Sequence, residues 1–448
     1  MKKLLFRALS LLLVALMTLS LCSCERIRQA VHRTLMKTLS IKDPDIKDGD
    51  NNPYLNIEPD PSTYNEGYEA VPSRYSYQAL PLEGEQKLYG ILIDSFYEVS
   101  PRYSEEAQKY PMPEIRLDGY SLTEAQVRTT LKAISDDCPE IFWISNTIGY
   151  YANDEMTIVQ GYSRLSPDEV TEKLGKVRQA AGEFYATVPD GLSEYQRELR
   201  VHDYLAGIAA YDTNVDVENT DNNDPELYTV YGALVNKLTV CEGYARAFQM
   251  LLNGLGVDCV NIIGRSSDEL HMWNSVKLGD KWYMVDLTWD DRDESYSRYC
   301  YFNLTSEQMA LDHEDAPMFT SLDDSQINGE VDDIGADVMN MFIPECVDPT
   351  MSWFYRETPH LDDFDGVDVK NALLAAAKNS EQYFAFYIGD GMDLEDTVRQ
   401  LFKESPQYFF DYVISVNGYL EDYSIDESNI GYITMPTNRA VTVELQYY

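Results

Sequence analysis

Apolar positions recur three and four apart in several stretches of the chain. Between Thr123 and Ile134, Val127, Leu131 and Ile134 fall on one face, which predicts a helix. Cys138-Pro139-Glu140 breaks it, and Ile141-Phe142-Trp143-Ile144 then reads as a short buried strand. Ser166 to Thr187 predicts a second helix, with a Ser cap, Pro in the first turn and Glu169 three residues after the cap. From Ser193 to Tyr211, the residues Leu199, His202, Leu205 and Ile208 share a face. From Cys241 to Leu252, Tyr244, Ala245, Phe248, Leu251 and Leu252 keep helical spacing, and Asn253-Gly254 supplies the stop. The period then shortens. Val257 to Ile263 is β-branched and short, His271 to Leu278 follows, Gly279-Asp280 makes a two-residue turn, and Lys281 to Trp289 returns. From Met318 to Tyr448 helix and strand signals alternate. There, Val398-Arg399 through Phe409-Phe410 echoes Val127-Arg128 through Phe142-Trp143, a helix followed by Pro and an aromatic strand, as in a weak internal repeat.

This patterning divides the 448 residues into 24–74 (a tether), 75–190 (a mixed α/β domain), 191–315 (a central core) and 316–448 (a second mixed α/β domain), after a leader at 1–23. The leader has a basic start (Lys2, Lys3, Arg7), an apolar run from Ala8 to Leu21, and Leu21-Cys22-Ser23-Cys24 at its end. That ending looks like a lipobox. It predicts lipid attachment at Cys24 and an extracytoplasmic, membrane-anchored protein on a bacterial cell surface. Arg26, Arg28, Arg33 and Lys37 would then lie beside anionic headgroups, and the Asp-, Asn- and Pro-rich stretch 41–73 reads as a tether.

Charge removes one class of partner. With 76 acidic against 35 basic residues and a net of −41, the chain has no basic stripe beyond residue 40 with which to grip nucleic acid. Cys138, Cys241, Cys259, Cys300 and Cys346 are too sparse for a disulfide framework, and the reduced form is the expectation. No metal and no cofactor is expected. His202 reads as a satisfied core histidine. His313 and His360 sit in acidic stretches without ligand spacing, and Asp290, Asp291, Asp293 and Glu294 read as a solvated turn.

Cys241 heads its predicted helix, where free N–H groups and the dipole favour a thiolate and could also hold an oxyanion. On the hairpin, Leu278 opposite Lys281 puts Trp273 opposite Asp286 and His271 opposite Thr288. His271 and Asp286 are then diagonal neighbours on one face, about 7 Å apart at Cα. Nucleophile, general base and acid, and orienting carboxylate are the roles such a set can take. Trp273 shares that face and is a candidate wall of the pocket, while Trp289 is expected to face the core.

These residues reach a family. Thr239-Val240-Cys241-Glu242-Gly243-Tyr244-Ala245, His271-Met272-Trp273-Asn274 and Val285-Asp286-Leu287-Thr288-Trp289-Asp290 resemble the motifs of the bacterial transglutaminase-like superfamily. His202-Asp203-Tyr204-Leu205, Tyr231-Gly232-Ala233-Leu234 and Tyr301-Phe302-Asn303 look like its flanking signatures, so the resemblance spans about 199–305. It implies an α+β fold with a papain-like core, the Cys-headed helix packed on an antiparallel sheet. It also implies thiolate attack on an amide carbonyl to form a thioester, resolved by water or by an amine. Tyr231 is a candidate for the pocket and for the oxyanion donor. The superfamily holds transglutaminases, peptidases, peptide N-glycanases and inactive members, so the reaction stays open. The expectation is a Cys241–His271–Asp286 acyltransferase or hydrolase acting on peptides or proteins. The alternative is a silent binding or scaffold lipoprotein that uses the fold for recognition.

Overall fold

The computed structural model describes residues 73–215, 223–267, 269–291, 298–318 and 339–448. The leader, the lipobox at Cys24 and the tether lie outside these residues, as do Asp293, Glu294 and the middle of the acidic loop after Asp212.

The first described segment sets helices α1 (Tyr75–Ala79), α2 (Glu83–Ser95) and α3 (Glu124–Asp137) against a three-stranded antiparallel sheet of β1 (Tyr110–Asp118), β2 (Ile144–Asn153) and β3 (Met156–Ser163), in the order β1-β3-β2. Thr123 caps α3 by accepting from Gln126 N–H, and the Gln126 side chain returns the bond. Buried Asp137 at its C-terminal end receives hydrogen bonds from the Ser73 hydroxyl, the N–H groups of Ser76 and Tyr77, and the Tyr89 hydroxyl, fastening α1 and α2 to α3. The strand expected at 141–144 begins only at Ile144. Ile141 to Trp143 are buried as anticipated, but they form a turn in which Ile141 N–H bonds Cys138 C=O and the Trp143 indole donates to Phe96 C=O.

Helices α4 (Pro167–Tyr185) and α5 (Glu194–Ile208) follow, opened by Ser166 and Ser193, each with a complete capping box. The central layer is α6 (Cys241–Gly254) lying on β6 (Cys259–Ser266) and β7 (Glu269–Leu278). With β8 (Lys281–Val285) and β9 (His313–Asp315) these strands form an antiparallel sheet ordered β8-β7-β6-β9. The hairpin register is the expected one, Leu278 opposite Lys281, and it runs back to Asn274 opposite Val285. There the strand stops. Asp286 caps a helical turn, α7 (Leu287–Asp290), so the return strand is shorter than the sequence pattern predicted.

Beyond α8 (Ser306–Met309) and α9 (Trp353–Glu357), the C-terminal segment builds a sheet of β10 (His360–Leu361), β11 (Tyr383–Ile388), β12 (Gly431–Met435) and β13 (Ala440–Glu444), in the order β10-β11-β13-β12. It packs with α10 (Val367–Lys378), α11 (Leu394–Phe402) and α12 (Tyr408–Asn417). The second half of the supposed repeat differs from expectation. Tyr408-Phe409-Phe410 opens a helix rather than a strand, because Phe409, Tyr412, Val413 and Val416 bury one face at helical spacing.

All described residues belong to one compact unit, Pro59–Tyr448. Within it one apolar cluster runs from Leu80 through Trp143, Val201 and Phe248 to Val285 and Phe302, joining the first α/β segment to the central layer. A separate cluster, Leu361 to Leu445, fills the C-terminal segment.

Candidate active site

Cys241 is the first residue of α6. Val240 at the cap position has no side-chain acceptor, so the first turn keeps its N–H groups for other use. Short parallel pairing of β4 (Ala210–Tyr211) with β5 (Leu238–Thr239) fixes the approach to the helix. Gly243 allows the segment before α6 to press against it. A Cβ there would sit 1.9 Å from Thr239 Oγ1 and 2.7 Å from Leu227 C=O. The helix is tied down by polar bonds as well as by Phe248, Leu251 and Leu252. Asn274 Nδ2 donates to Ala245 C=O at 3.0 Å and to Asn261 Oδ1 at 2.9 Å. Asn261 in turn donates to Gln249, and Gln249 to Asp136 C=O. These buried amides bind α6 to β6, β7 and α3.

Cys241 is 8% exposed, His271 9% and Asp286 fully buried. His271 Nε2 meets Asp286 Oδ2 at 2.6 Å, which leaves Nδ1 for the thiol. Burial alone would lower the His271 pKa. The charges of Asp286 and Cys241, and hydrogen bonds to both, outweigh it and push the ring to about 10. Burial likewise works against charge on Asp286, but the His271 and His313 rings hold its carboxylate well below the usual range. The arrangement can therefore hold a thiolate beside an imidazolium, with a carboxylate behind it.

Trp273 is 1% exposed and stacks on His271, ring centroids 5.9 Å apart. Trp289, expected in the core, stands beside the site instead. Because Asp286 ends the strand, Trp289 lies on α7 and its ring packs on His313 at 5.1 Å and His271 at 6.5 Å. Tyr231 is 6% exposed, packs against Phe142 and lies beneath the Lys173 ammonium, so it is part of the protein interior. Tyr211, on the strand beside the Cys241 approach, is raised in pKa by burial and by the nearby Cys241 charge. Its hydroxyl is shielded from water, but the residue as a whole keeps 38% of its surface, and Leu238 and Leu270 are exposed as well.

Three acidic or basic residues differ from their expected settings. Asp290 is no solvated turn residue. It is fully buried, accepts from Tyr301 N–H and meets His202 Nε2 at 3.1 Å. Burial resists charge on His202, but Asp203 and Asp290 raise it to about 9. Burial lifts Asp290 to about 6, so the pair is ionised at neutral pH. Asp291 accepts the Tyr244 hydroxyl. His313, dismissed by spacing alone, lies on β9 with its side chain fully buried, and its Nε2 meets Asp286 Oδ2 at 2.9 Å. Only the pairing of β9 with β6 brings it there, and no local sequence signal encodes that pairing. His360, by contrast, bonds Tyr355 C=O in the C-terminal segment.

Among the described residues, His271, Asp286 and His313 bring donor atoms within 4.8 Å of one another. Both rings contact the same carboxylate oxygen at hydrogen-bonding distance. Two ligands on one tetrahedral zinc ion would stand about 3.3 Å apart. At 2.6 and 2.9 Å these contacts form a hydrogen-bonded chain. Among the described residues, Cys138, Cys241, Cys259, Cys300 and Cys346 form no disulfide.

Comparison with known proteins finds a family for this part of the chain. Residues 182–287 match the family model described as the transglutaminase-like superfamily. The kyphoscoliosis peptidase of Mus musculus is 31% identical over 123 residues, which is 23% of this chain and 19% of that protein. Its Homo sapiens counterpart is 28% identical over the same length, with the same coverage. The chain therefore spans about a fifth of the length of the curated relatives it matches. A solved structure described as "Crystal structure of a TGase" covers 39% of this chain and 50% of its own, at 16% identity and a TM-score of 0.24. Residues 182–287 are a transglutaminase-like domain of α+β build, and the resemblance is confined to that part of the chain.

Proposed function

We propose that this chain is a thiol acyltransferase or hydrolase that attacks peptide or protein amides. A transglutaminase-like domain supports transglutaminase- or peptidase-like activity in general. The observation that carries the finer reading is the buried His271 ring, held between the Asp286 carboxylate and the Cys241 thiol at the start of α6. In this reading the Cys241 thiolate attacks the amide carbonyl, and the N–H groups of the first helical turn receive the developing oxyanion. His271 gives its proton to the leaving amine, and a thioester to Cys241 remains. Water or a primary amine, deprotonated by His271, then releases the acyl group. Asp286 holds the ring in the required tautomer. Tyr211, exposed and close to Cys241, offers an aromatic surface for the substrate. Anchored through Cys24, the enzyme would act outside the cytoplasm on peptides or proteins within reach of the tether.

The test is the rate of Cys241 alkylation by iodoacetamide against pH, in the intact chain and in His271→Ala. Wild type is expected to be alkylated near neutral pH much faster than a free thiol, and His271→Ala to lose that enhancement. A Cys241 that is inert, or that titrates as a free thiol in both, would leave the silent-scaffold alternative. Peptidyl-glutamine with and without a primary amine then separates transfer from hydrolysis.

A further inference from the structure

The Asp286 carboxylate has three donors around it. Trp289 N–H reaches Oδ1 at 3.1 Å, while His271 and His313 share Oδ2 at 2.6 and 2.9 Å. The other nitrogen of His313 is also engaged, Nδ1 lying 2.7 Å from Asp312 Oδ1. A carboxylate only accepts, and a neutral imidazole has one N–H to give. Bonding two carboxylates takes the doubly protonated ring. The Tyr301 hydroxyl completes the row by donating to Asp312 Oδ2 at 2.6 Å. Trp273, Trp289 and Tyr301 wall the His313 ring at 5.0 to 5.5 Å, leaving it fully buried.

We propose that His313 is a positioning residue of the site, a fixed cation between Asp286 and Asp312 that keeps Asp286 aimed at His271 and limits how tightly His271 holds its proton. This rests on reading Cys241 and His271 as nucleophile and base. Five groups then alternate in sign along one line: Cys241, His271, Asp286, His313 and Asp312. A lone buried carboxylate beside His271 would bind the imidazolium so firmly that it became a poor acid for the leaving amine. A second cation on the same oxygen, its ring 5.5 Å from that of His271, shares the carboxylate's charge and repels the first. The charged or titratable groups facing His313 are Asp286 from the end of β8, His271 from β7, and Asp312 and Asp315 from its own strand and the residue before it. Facing His271 are Asp286, Cys241 and His313, with Tyr211 near the thiol and Glu269 and Tyr228 near Tyr211. Burial opposes charge on His313, yet Asp286 and Asp312 prevail and raise its pKa.

Two measurements on the full chain test this. The five histidines permit selective ¹³Cε1 labelling, with His313 assigned by elimination using variants of the other four. His313 is expected to keep both ring protons through the pH range in which an ordinary imidazole loses one. A ring that titrates near the ordinary value of about 6.5 overturns the proposal, and this reading needs no His313 variant to fold. In His313→Gln, an amide N–H can still reach Asp286 but carries no charge. The upper limb of the Cys241 alkylation profile, where His271 loses its proton, is expected to move up by about one unit. A limb that stays in place overturns the proposal while leaving the Cys241–His271 pair intact, provided wild-type alkylation depends on His271. If it does not, the reading of the site fails and the proposal fails with it.

Discussion

Glu198 on α5 carries a cost that the rest of its helix does not. It is fully buried, its Oε2 accepts from Asn303, and its other oxygen has no partner. Burial, only partly offset by Asn303 and His202, raises its pKa to about 8 from 4.5. Folding at neutral pH therefore takes up a proton. A carboxyl whose folded pKa is raised stabilises fully below its unfolded pKa, and that contribution is lost as pH climbs through the folded one. Chemical denaturation of Glu198→Gln should show a gain of about 1–3 kcal/mol over wild type at pH 8 that vanishes near pH 4. Asp286 stands at the other extreme, a buried carboxylate with three donors, and the contrast lies entirely in the partners each is given.

At the scale of elements, the site depends on how closely β9 approaches β6. Gly264 sits opposite His271 on one side and Asp315 on the other. A Cβ at Gly264 would lie 2.1 Å from Glu314 C=O and 2.5 Å from Trp273 Cη2. Gly264→Ala should force β9 outward, cost about 2–4 kcal/mol in denaturant titration and shift the His313 ¹³C resonance, while Cys241 stays folded at the head of α6. The same element marks where sequence reading succeeds and where it stops. The Cys241 helix and the His271 hairpin were legible because their contacts are local: helical spacing, a two-residue turn and strand parity fix them. The end of β8 was not, because Asp286 trades a place in the strand for a helix cap, and that choice moves Trp289 and Asp290 out of the extrapolated register. His313 was illegible for a different reason. Its partners are set by a strand pairing closed across a long intervening segment, which leaves no periodic trace.

For the molecule as a whole, the separate C-terminal core has a measurable consequence. Phe409 is fully buried, stacks on Phe386 and packs tilted against Phe402. Phe409→Ala should cost about 3–5 kcal/mol. Hydrogen exchange is expected to show protection lost across β11 to β13 and retained across β6 to β8, because the two apolar clusters share few side chains. Between them lie a small cluster of Phe354, Met435 and Ala440 with Cys300 and Trp353, the Trp353 ring stacked on Tyr299 at 4.7 Å, and the bonds from Asn438 to Cys300 C=O and from Gln308 to Thr437 C=O.

The position of β9 in the chain also bears on biosynthesis. A ribosome releases Cys241 first, His271 and Asp286 next, and Asp312 and His313 last. On the proposed reading, until the ninth strand has emerged and paired the nascent polypeptide holds a thiol whose positioning partner is missing, in a crowded setting full of amides. Chain order would thus delay the completion of the group until β9 has been made, with the C-terminal segment still to follow.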